Sequence, residues 1–176
     1  MAETAKKGLV MVYTGEGKGK TTAAVGQALR ALGHGFRVYM IHFMKGRDYG
    51  EFLAAEKLPH LVVDRAGRDS FVKRDHPDPV DMELARDGFD RAGRAVRSGQ
   101  YDLVVLDEII VAVDFGLIPE AELLELIEEK PPGVDLVLTG RGATPELVKR
   151  ADLVSEVLMI KHHYQKGVPG RKGIEY

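Results

Sequence analysis

The sequence predicts an α/β fold, a mostly parallel six-stranded sheet flanked by helices. Three observations carry that expectation. Apolar runs of strand length alternate with longer segments of helical periodicity. A glycine-rich stretch, residues 14–22, joins the first apolar run to the first periodic segment. A later apolar run ends in two adjacent acids, Asp107 and Glu108, where open α/β sheets place ligand-binding groups.

In chain order, residues 9–14 read as the first strand. A helix starts near Lys20, where Val25, Ala28, Leu29 and Leu32 keep the 3.6-residue period, and ends near Gly33 and Gly35. Residues 37–43 form the second strand, and Lys45 lies just beyond its carboxyl end. A short helix covers 49–57 and a short third strand 61–63. Residues 64–79 are irregular, with Arg65, Arg68, Lys73, Arg74, His76, two prolines and one aromatic, Phe71. A loop of that length points to function or mobility. Asp78-Pro79 opens the longest helix, with proline at its first position. Its buried stripe is expected at Met82, Ala85, Phe89, Ala92 and Val96, and Ser98-Gly99 ends it. Residues 101–108 are the fourth strand. A helix follows over 119–129, stopped by Pro131-Pro132. Residues 135–139 are the fifth strand, leading into Gly140-Arg141-Gly142. Thr144-Pro145 opens a further helix, residues 154–160 are the sixth strand, and 161–176 form a basic, glycine-rich tail.

Composition narrows the function classes. A chain of 176 residues, 44% of them apolar, reads as one domain, 1–176. A formal net charge of −2 offers no basic field to nucleic acid. There is no cysteine, which excludes thiolate chemistry and disulfides. No run reaches the roughly 18 apolar residues of a membrane span, and the polar first seven residues lack a signal core. With a nucleotide site, that favours the cytoplasm.

The glycine-rich stretch is Thr14-Gly15-Glu16-Gly17-Lys18-Gly19-Lys20-Thr21-Thr22. Gly15, Gly17 and Gly19 are expected to take positive φ and bring N–H groups close to phosphate oxygens. Lys20 sits where an ammonium reaches the terminal phosphates. Thr21 offers a hydroxyl to Mg²⁺, and Thr22 a further polar contact. The strict G-x-x-x-x-G-K-[ST] pattern wants glycine at Thr14; here it is at Gly15. Glu16 and Lys18 complete the candidate loop. The acids ending the fourth strand fit the same site: Asp107 would hold Mg²⁺ directly or through water, and Glu108 could polarise a water or the metal shell. This is the P-loop nucleoside triphosphatase, RecA-like, arrangement. Right-handed crossovers would bring the loop, Lys45, Asp107, Glu108 and Arg141 to one sheet edge. Adjacent His162 and His163 point apart on an extended chain and make a poor chelate. Phe71 could serve to anchor its own loop to the core.

The residues reach a Mg²⁺–nucleoside triphosphate site but not its acceptor. Beyond them, nearly the whole chain resembles the P-loop class of corrinoid adenosyltransferases. The likeness lies in residues 13–22, Phe43-Met44-Lys45-Gly46, residues 101–108, Leu138-Thr139-Gly140-Arg141-Gly142, Val154-Ser155-Glu156, Lys161-His162 and the ending Lys172-Gly173-Ile174-Glu175-Tyr176. That family's phosphate loop is also one residue short of the strict pattern. The resemblance implies transfer of the 5′-deoxyadenosyl group of ATP to Co(I) of a corrinoid, with tripolyphosphate leaving whole. ATP would lie reversed relative to ordinary P-loop enzymes, with Arg30 of the first helix touching it. Lys20 and Glu108 would be the catalytic groups. Phe71, in a mobile 64–79 loop, would stand beside the corrinoid, in a chain that has no tryptophan. A homodimer and an electron-donating reductase would be partners. The family's N-terminal arm, which covers a partner subunit's site, has only the short segment 1–7 to represent it. Competing readings are an ATPase or small-molecule kinase moving the γ-phosphate, and a carrier that binds without turnover.

Overall fold

The computed structural model describes residues 7–47 and 49–176; most of the segment read as a short N-terminal arm lies outside them. The chain order is β1 (Val10–Thr14), α1 (Lys20–Gly33), β2 (Val38–Phe43), α2 (Gly50–Ala55), β3 (Leu61–Ala66), α3 (Pro79–Arg97), β4 (Leu103–Asp107), α4 (Ile109–Asp114), α5 (Glu120–Glu129), β5 (Asp135–Thr139), α6 (Pro145–Arg150) and β6 (Leu153–Glu156). A 3₁₀ turn, His163–Lys166, follows. The six strands make one parallel sheet in the order β3-β2-β4-β5-β1-β6.

The apolar runs dictate this sheet. Every residue of β2 and of β4 is buried, which requires cover on both faces. On one face the small residues Ala24, Ala28 and Ala31 let α1 approach Met11, Val38, Met40, Leu103, Val105 and Val137. On the other, Ala85, Phe89, Ala92 and Val96 of α3 join residues of α4, α5 and α6 over Val12, Ile41, Val104, Leu106 and Leu138. The chain runs from β1 to β2 under α1, then reverses toward β4, β5 and β6 under the other helices. All strand carboxyl ends share one edge, and it is there that the polar residues collect.

Several elements differ from the sequence reading, each for a physical reason. β3 continues to Ala66, in register with β2 to Phe43, because Asp64 is held by Tyr39 Oη at 3.0 Å and by Arg91. The irregular segment is therefore 67–78. Met82 is 46% exposed and lies off the buried stripe of α3, where Gly88 is buried instead. The short helix α4 had no amphipathic signal, since Ile109, Ile110 and Ala112 are buried and its sequence reads on from the strand before it. β6 ends at Glu156, and the backbone beyond it turns onto the glycine-rich loop, where Gly17 N donates to Val157 O at 2.7 Å. Val72, not Phe71, packs its loop against the core; Phe71 is fully exposed.

Gly88 marks where α3 crosses β3: a Cβ built there would stand 2.1 Å from the Ala66 Cβ. Gly88→Val should overpack this crossing and cost about 1–3 kcal/mol, read as a lower urea midpoint at unchanged slope. An unchanged midpoint would show that the helix can lift from the strand without cost.

Candidate functional site

The site starts with the turn that opens α1. Gly19, at φ 125°, is the residue before the helix, and no side chain caps it and no acid lies in its first turn. The first N–H groups are left to an anion, and the helix dipole favours one. Lys20 is 6% exposed and folds back over the loop, donating to Gly15 O and Gly17 O at 2.7 Å each. Burial pulls its ammonium below the ordinary pKa, against the opposing field of Glu108. Gly15 has the expected positive φ of 95°. Gly17 does not; it is glycine because a Cβ would lie 2.6 Å from Leu158 O. Thr14, where the strict pattern wants glycine, ends β1, and its hydroxyl accepts from Ala143 N at 3.3 Å.

Behind the loop lies Asp107, wholly buried. Its Oδ1 accepts from Thr21 Oγ1 at 2.8 Å and Thr139 Oγ1 at 2.7 Å. Its Oδ2 accepts from Lys45 Nζ at 2.6 Å and stands 2.8 Å from His42 Nδ1. The carboxylate is acceptor-only, so that ring nitrogen carries the proton. Burial pushes the carboxyl pKa up, but the His42 hydrogen bond and the Lys45 ammonium outweigh it and hold the group well below the usual range. The Lys45 ammonium is pulled down by burial and raised further by Asp107, with a net rise. Four donors occupy the roughly four acceptor positions of a carboxylate. Asp107 therefore stands behind Thr21 rather than open to the solvent side.

Glu108 faces the other way. It sits at φ 60° between β4 and α4, its N–H held by Thr139 Oγ1 at 2.9 Å. Burial, then the neighbouring Asp107 charge, raises its carboxyl pKa. Glu108 lines a cavity of about 780 Å³ with residues 16–22, Lys45 and Arg141. Arg141 meets Glu16 at 3.2 Å across the mouth. A second wall comes from Val25, Tyr49, Gly50, Glu51 and Ala54, and a third from Met159, His162, Tyr164, Gln165 and residues 173–176. The tail is tied to the loop through Lys18, whose Nζ donates to Ile174 O at 3.4 Å and lies 3.9 Å from Glu175.

The edge thus brings together Gly15, Glu16, Gly17, Lys18, Gly19, Lys20, Thr21, Thr22, Lys45, Asp107, Glu108 and Arg141. It does not bring Arg30, which is exposed in the last turn of α1, nor Phe71, to the cavity wall. The basic residues of the 67–78 loop are partly spent on internal pairs: Arg68 holds Asp81 at 2.6 Å and also Asp78, and Arg74 holds Asp114 at 2.6 Å. His162 and His163 stack, with ring centroids 4.6 Å apart, instead of pointing away from each other; His162 Nδ1 is taken by Tyr164 N at 3.1 Å. Sequence reasoning missed His42, Tyr49, Glu51 and the tail. A histidine inside the apolar run 38–43 was a signal for the first; the tail offered only its share of the family likeness.

Comparison with known proteins gives a consistent result. Residues 6–176 match the family described as ATP:corrinoid adenosyltransferase BtuR/CobO/CobP. The corrinoid adenosyltransferase of Escherichia coli (strain K12) is 35% identical over 172 residues, covering 97% of this chain and 87% of that protein. Corrinoid adenosyltransferase CobA of Salmonella typhimurium is 34% identical over the same shares, and the Pseudomonas aeruginosa corrinoid adenosyltransferase 32%, over 97% and 85%. Among solved structures, the KaiC-like protein PH0186 of Pyrococcus horikoshii OT3 superposes with a TM-score of 0.58 at 20% identity, over 85% of this chain and 73% of that one. That likeness is one of fold, and it agrees with the RecA-like arrangement.

Asp107→Asn should destabilise the chain by about 3–5 kcal/mol, because it leaves the Lys45 ammonium without its counter-charge. The pH dependence carries a sign. The folded pKa of Asp107 lies below its ordinary value near 3.8, so its stabilisation is complete above that value and is lost as pH falls through the folded pKa. Melting temperatures of the variant should fall less steeply than wild type below about pH 4; Asp64 and Asp81, also lowered, keep some slope in both. Parallel curves would remove Asp107 from the acid response.

Proposed function

We propose a function from one premise: the chain belongs to the ATP:corrinoid adenosyltransferase family. The protein transfers the 5′-deoxyadenosyl group of ATP to the Co(I) centre of a corrinoid, a step of cobalamin biosynthesis or salvage. The observation that carries the reading is the cavity whose wall holds Lys20, Thr21, Lys45, Glu108 and Arg141 around an uncapped helix start. Co(I) supplies the electron pair of the new Co–C bond, the C5′–O bond breaks, and the pair departs with tripolyphosphate. No side-chain nucleophile is required. The protein's work is to hold ATP with its 5′ carbon toward the corrinoid and to meet the charge that builds on the leaving group.

Lys20 exchanges the Gly15 and Gly17 carbonyls for phosphate oxygens, beside the N–H groups of the loop, while Lys18 and Arg141 flank the mouth. Mg²⁺ fits the residues present. No cluster of three or more His, Asp or Glu holds a metal among the described residues, and Mg²⁺ bound to phosphates needs only one or two protein oxygens. Thr21 and Glu108 would hold it, with Asp107 fixing the Thr21 hydroxyl, and it would supply charge neutralisation on the triphosphate. Phe71, exposed and free of the core, is an apolar group available to a corrinoid face, midway along the loop tied down by Arg68 and Arg74. The homodimer, the electron-donating reductase and the cytoplasmic site of action rest on the family likeness. Among the described residues no helix is long and apolar enough to cross a membrane.

The test is one reaction: chain, ATP, Mg²⁺ and chemically reduced corrinoid, followed by the cobalt absorption spectrum and phosphate analysis. Tripolyphosphate and an alkyl-cobalt spectrum are expected; ADP would overturn the reading in favour of γ-phosphate transfer. Lys20→Ala should lower turnover about a hundredfold, some 3 kcal/mol, with the fold intact by circular dichroism. Phe71→Ala should impair reaction starting from Co(II) corrinoid with a weak reductant more than reaction starting from Co(I). Equal losses in the two assays would assign Phe71 a purely structural part.

A further inference from the structure

One wall of the cavity carries a carboxylate that the transfer reaction leaves unexplained. Glu51, in the first turn of α2, has a side chain 17% exposed and lines the cavity. A carboxylate in a triphosphate cavity repels the ligand unless it faces a part of it that donates hydrogen bonds. Among the described residues no group donates one to Glu51. Its nearest polar partner is His42 Nε2 at 3.7 Å, beyond hydrogen-bond reach.

His42 is itself wholly buried, and its Nε2 is the one buried side-chain nitrogen or oxygen without a hydrogen-bond partner among the described residues. The ring is fixed from behind by Asp107 at Nδ1 and at its sides by Phe52, with ring centroids 5.2 Å apart, and Tyr49, 6.4 Å. Its orientation is therefore set, and Nε2 points at Glu51. Asp107 also bonds Thr21 and Lys45, so Glu51 stands one imidazole and one carboxylate away from the phosphate side of the cavity. The part of a nucleoside triphosphate next to its phosphates is the ribose, whose vicinal hydroxyls are donors. Val25, Tyr49 and Ala54 beside Glu51 offer apolar and aromatic surface to the sugar and base.

We propose that Glu51 reads the ribose hydroxyls of the nucleotide, with the fixed His42 ring standing behind it at 3.7 Å. Carboxylates take this part in other nucleotide sites, because acceptor-only groups suit a diol. The inference rests on the nucleotide reading above, but not on the identity of the acceptor.

Titration calorimetry of the full chain with Mg²⁺ and no corrinoid tests it, using ATP, 2′-deoxy-ATP, 3′-deoxy-ATP and ITP. Wild type should bind at least one deoxy analogue about tenfold more weakly than ATP, as expected for a hydrogen bond to a charged acceptor. In Glu51→Ala, ATP should fall to the level of that analogue, so the ratio approaches one. A ratio that survives in Glu51→Ala overturns the proposal; if the melting temperature drops as well, Glu51 has a structural part only. A change confined to ITP discrimination also overturns it, since Glu51 would then read the base. ATP binding without transfer to cobalt would sink the transfer reading alone, whereas no ATP binding by wild type would sink both.

Discussion

A single buried carboxylate sets the terms for this structure. Desolvating Asp107 costs several kcal/mol, and the cost is offset only if every acceptor position finds a donor. Those donors come from α1, from the ends of β2 and β5, and from the turn after β2. The demand fixes the sheet. His42 must lie opposite Asp107, as the β2–β4 register has it, and α1 must start where Thr21 can reach. The chain must also turn back at once after β2 to return Lys45. It does so through Met44 at φ 57°, while Glu108 leaves the neighbouring strand at φ 60°. Neither is glycine, and each costs on the order of 1–3 kcal/mol. The hub offsets that strain, and the strain aims Glu108 into the cavity while Asp107 faces the hub behind it.

The cations around the cavity share a second property: each already has partners. Lys20 is bonded to loop carbonyls, Lys45 to Asp107, Lys18 to the tail and Arg141 to Glu16. A polyanion entering this cavity exchanges partners with them rather than stripping water from bare charges. Such exchange keeps the side chains near their working positions and lowers the ordering cost of binding. Lys45 is the exception in degree. Its contact with Asp107 is short and partly buried, so it stays with the hub and contributes field rather than a mobile hand.

Much of this was legible in the sequence, and the pattern of what was not is informative. Residues 135–139 read as a strand with the bounds the structure gives, because an apolar run there is bracketed by glycine and proline. The glycine-rich loop, the proline at the start of α3 and the Thr144 cap carry local chemistry that tertiary context does not alter. Local signals fail where long-range contact decides. The helix α4 is apolar on the faces that matter and lacks a period to read. Gly17 is glycine for the sake of residues 157–158, about 140 positions away, and nothing near it says so. The tail acquires its place through Lys18 and through Tyr176 against Tyr49, with ring centroids 6.5 Å apart. His42 was visible as a polar interruption, but its partner across the sheet was not. Arg30 came from family likeness alone and Phe71 from that likeness together with its place as the one aromatic of its loop, and the single chain leaves both at its surface.

The strand order has a consequence in time. β1, which delivers the phosphate loop, has no early neighbour: it pairs with β5 and β6, and Leu9 N waits for the Asp135 side chain, 126 positions later. β2 can zip to β3 soon after both are made, yet Asp107 cannot be satisfied until Thr21, His42, Lys45 and Thr139 all exist. At typical translation rates that interval is roughly 10 s. A sheet with no hairpin and such distant pairings folds slowly for its size, since loop closure must be met before any contact rewards it. The nascent chain therefore carries an apolar, unpaired first strand through most of its synthesis, and the nucleotide site is among the last things the protein completes.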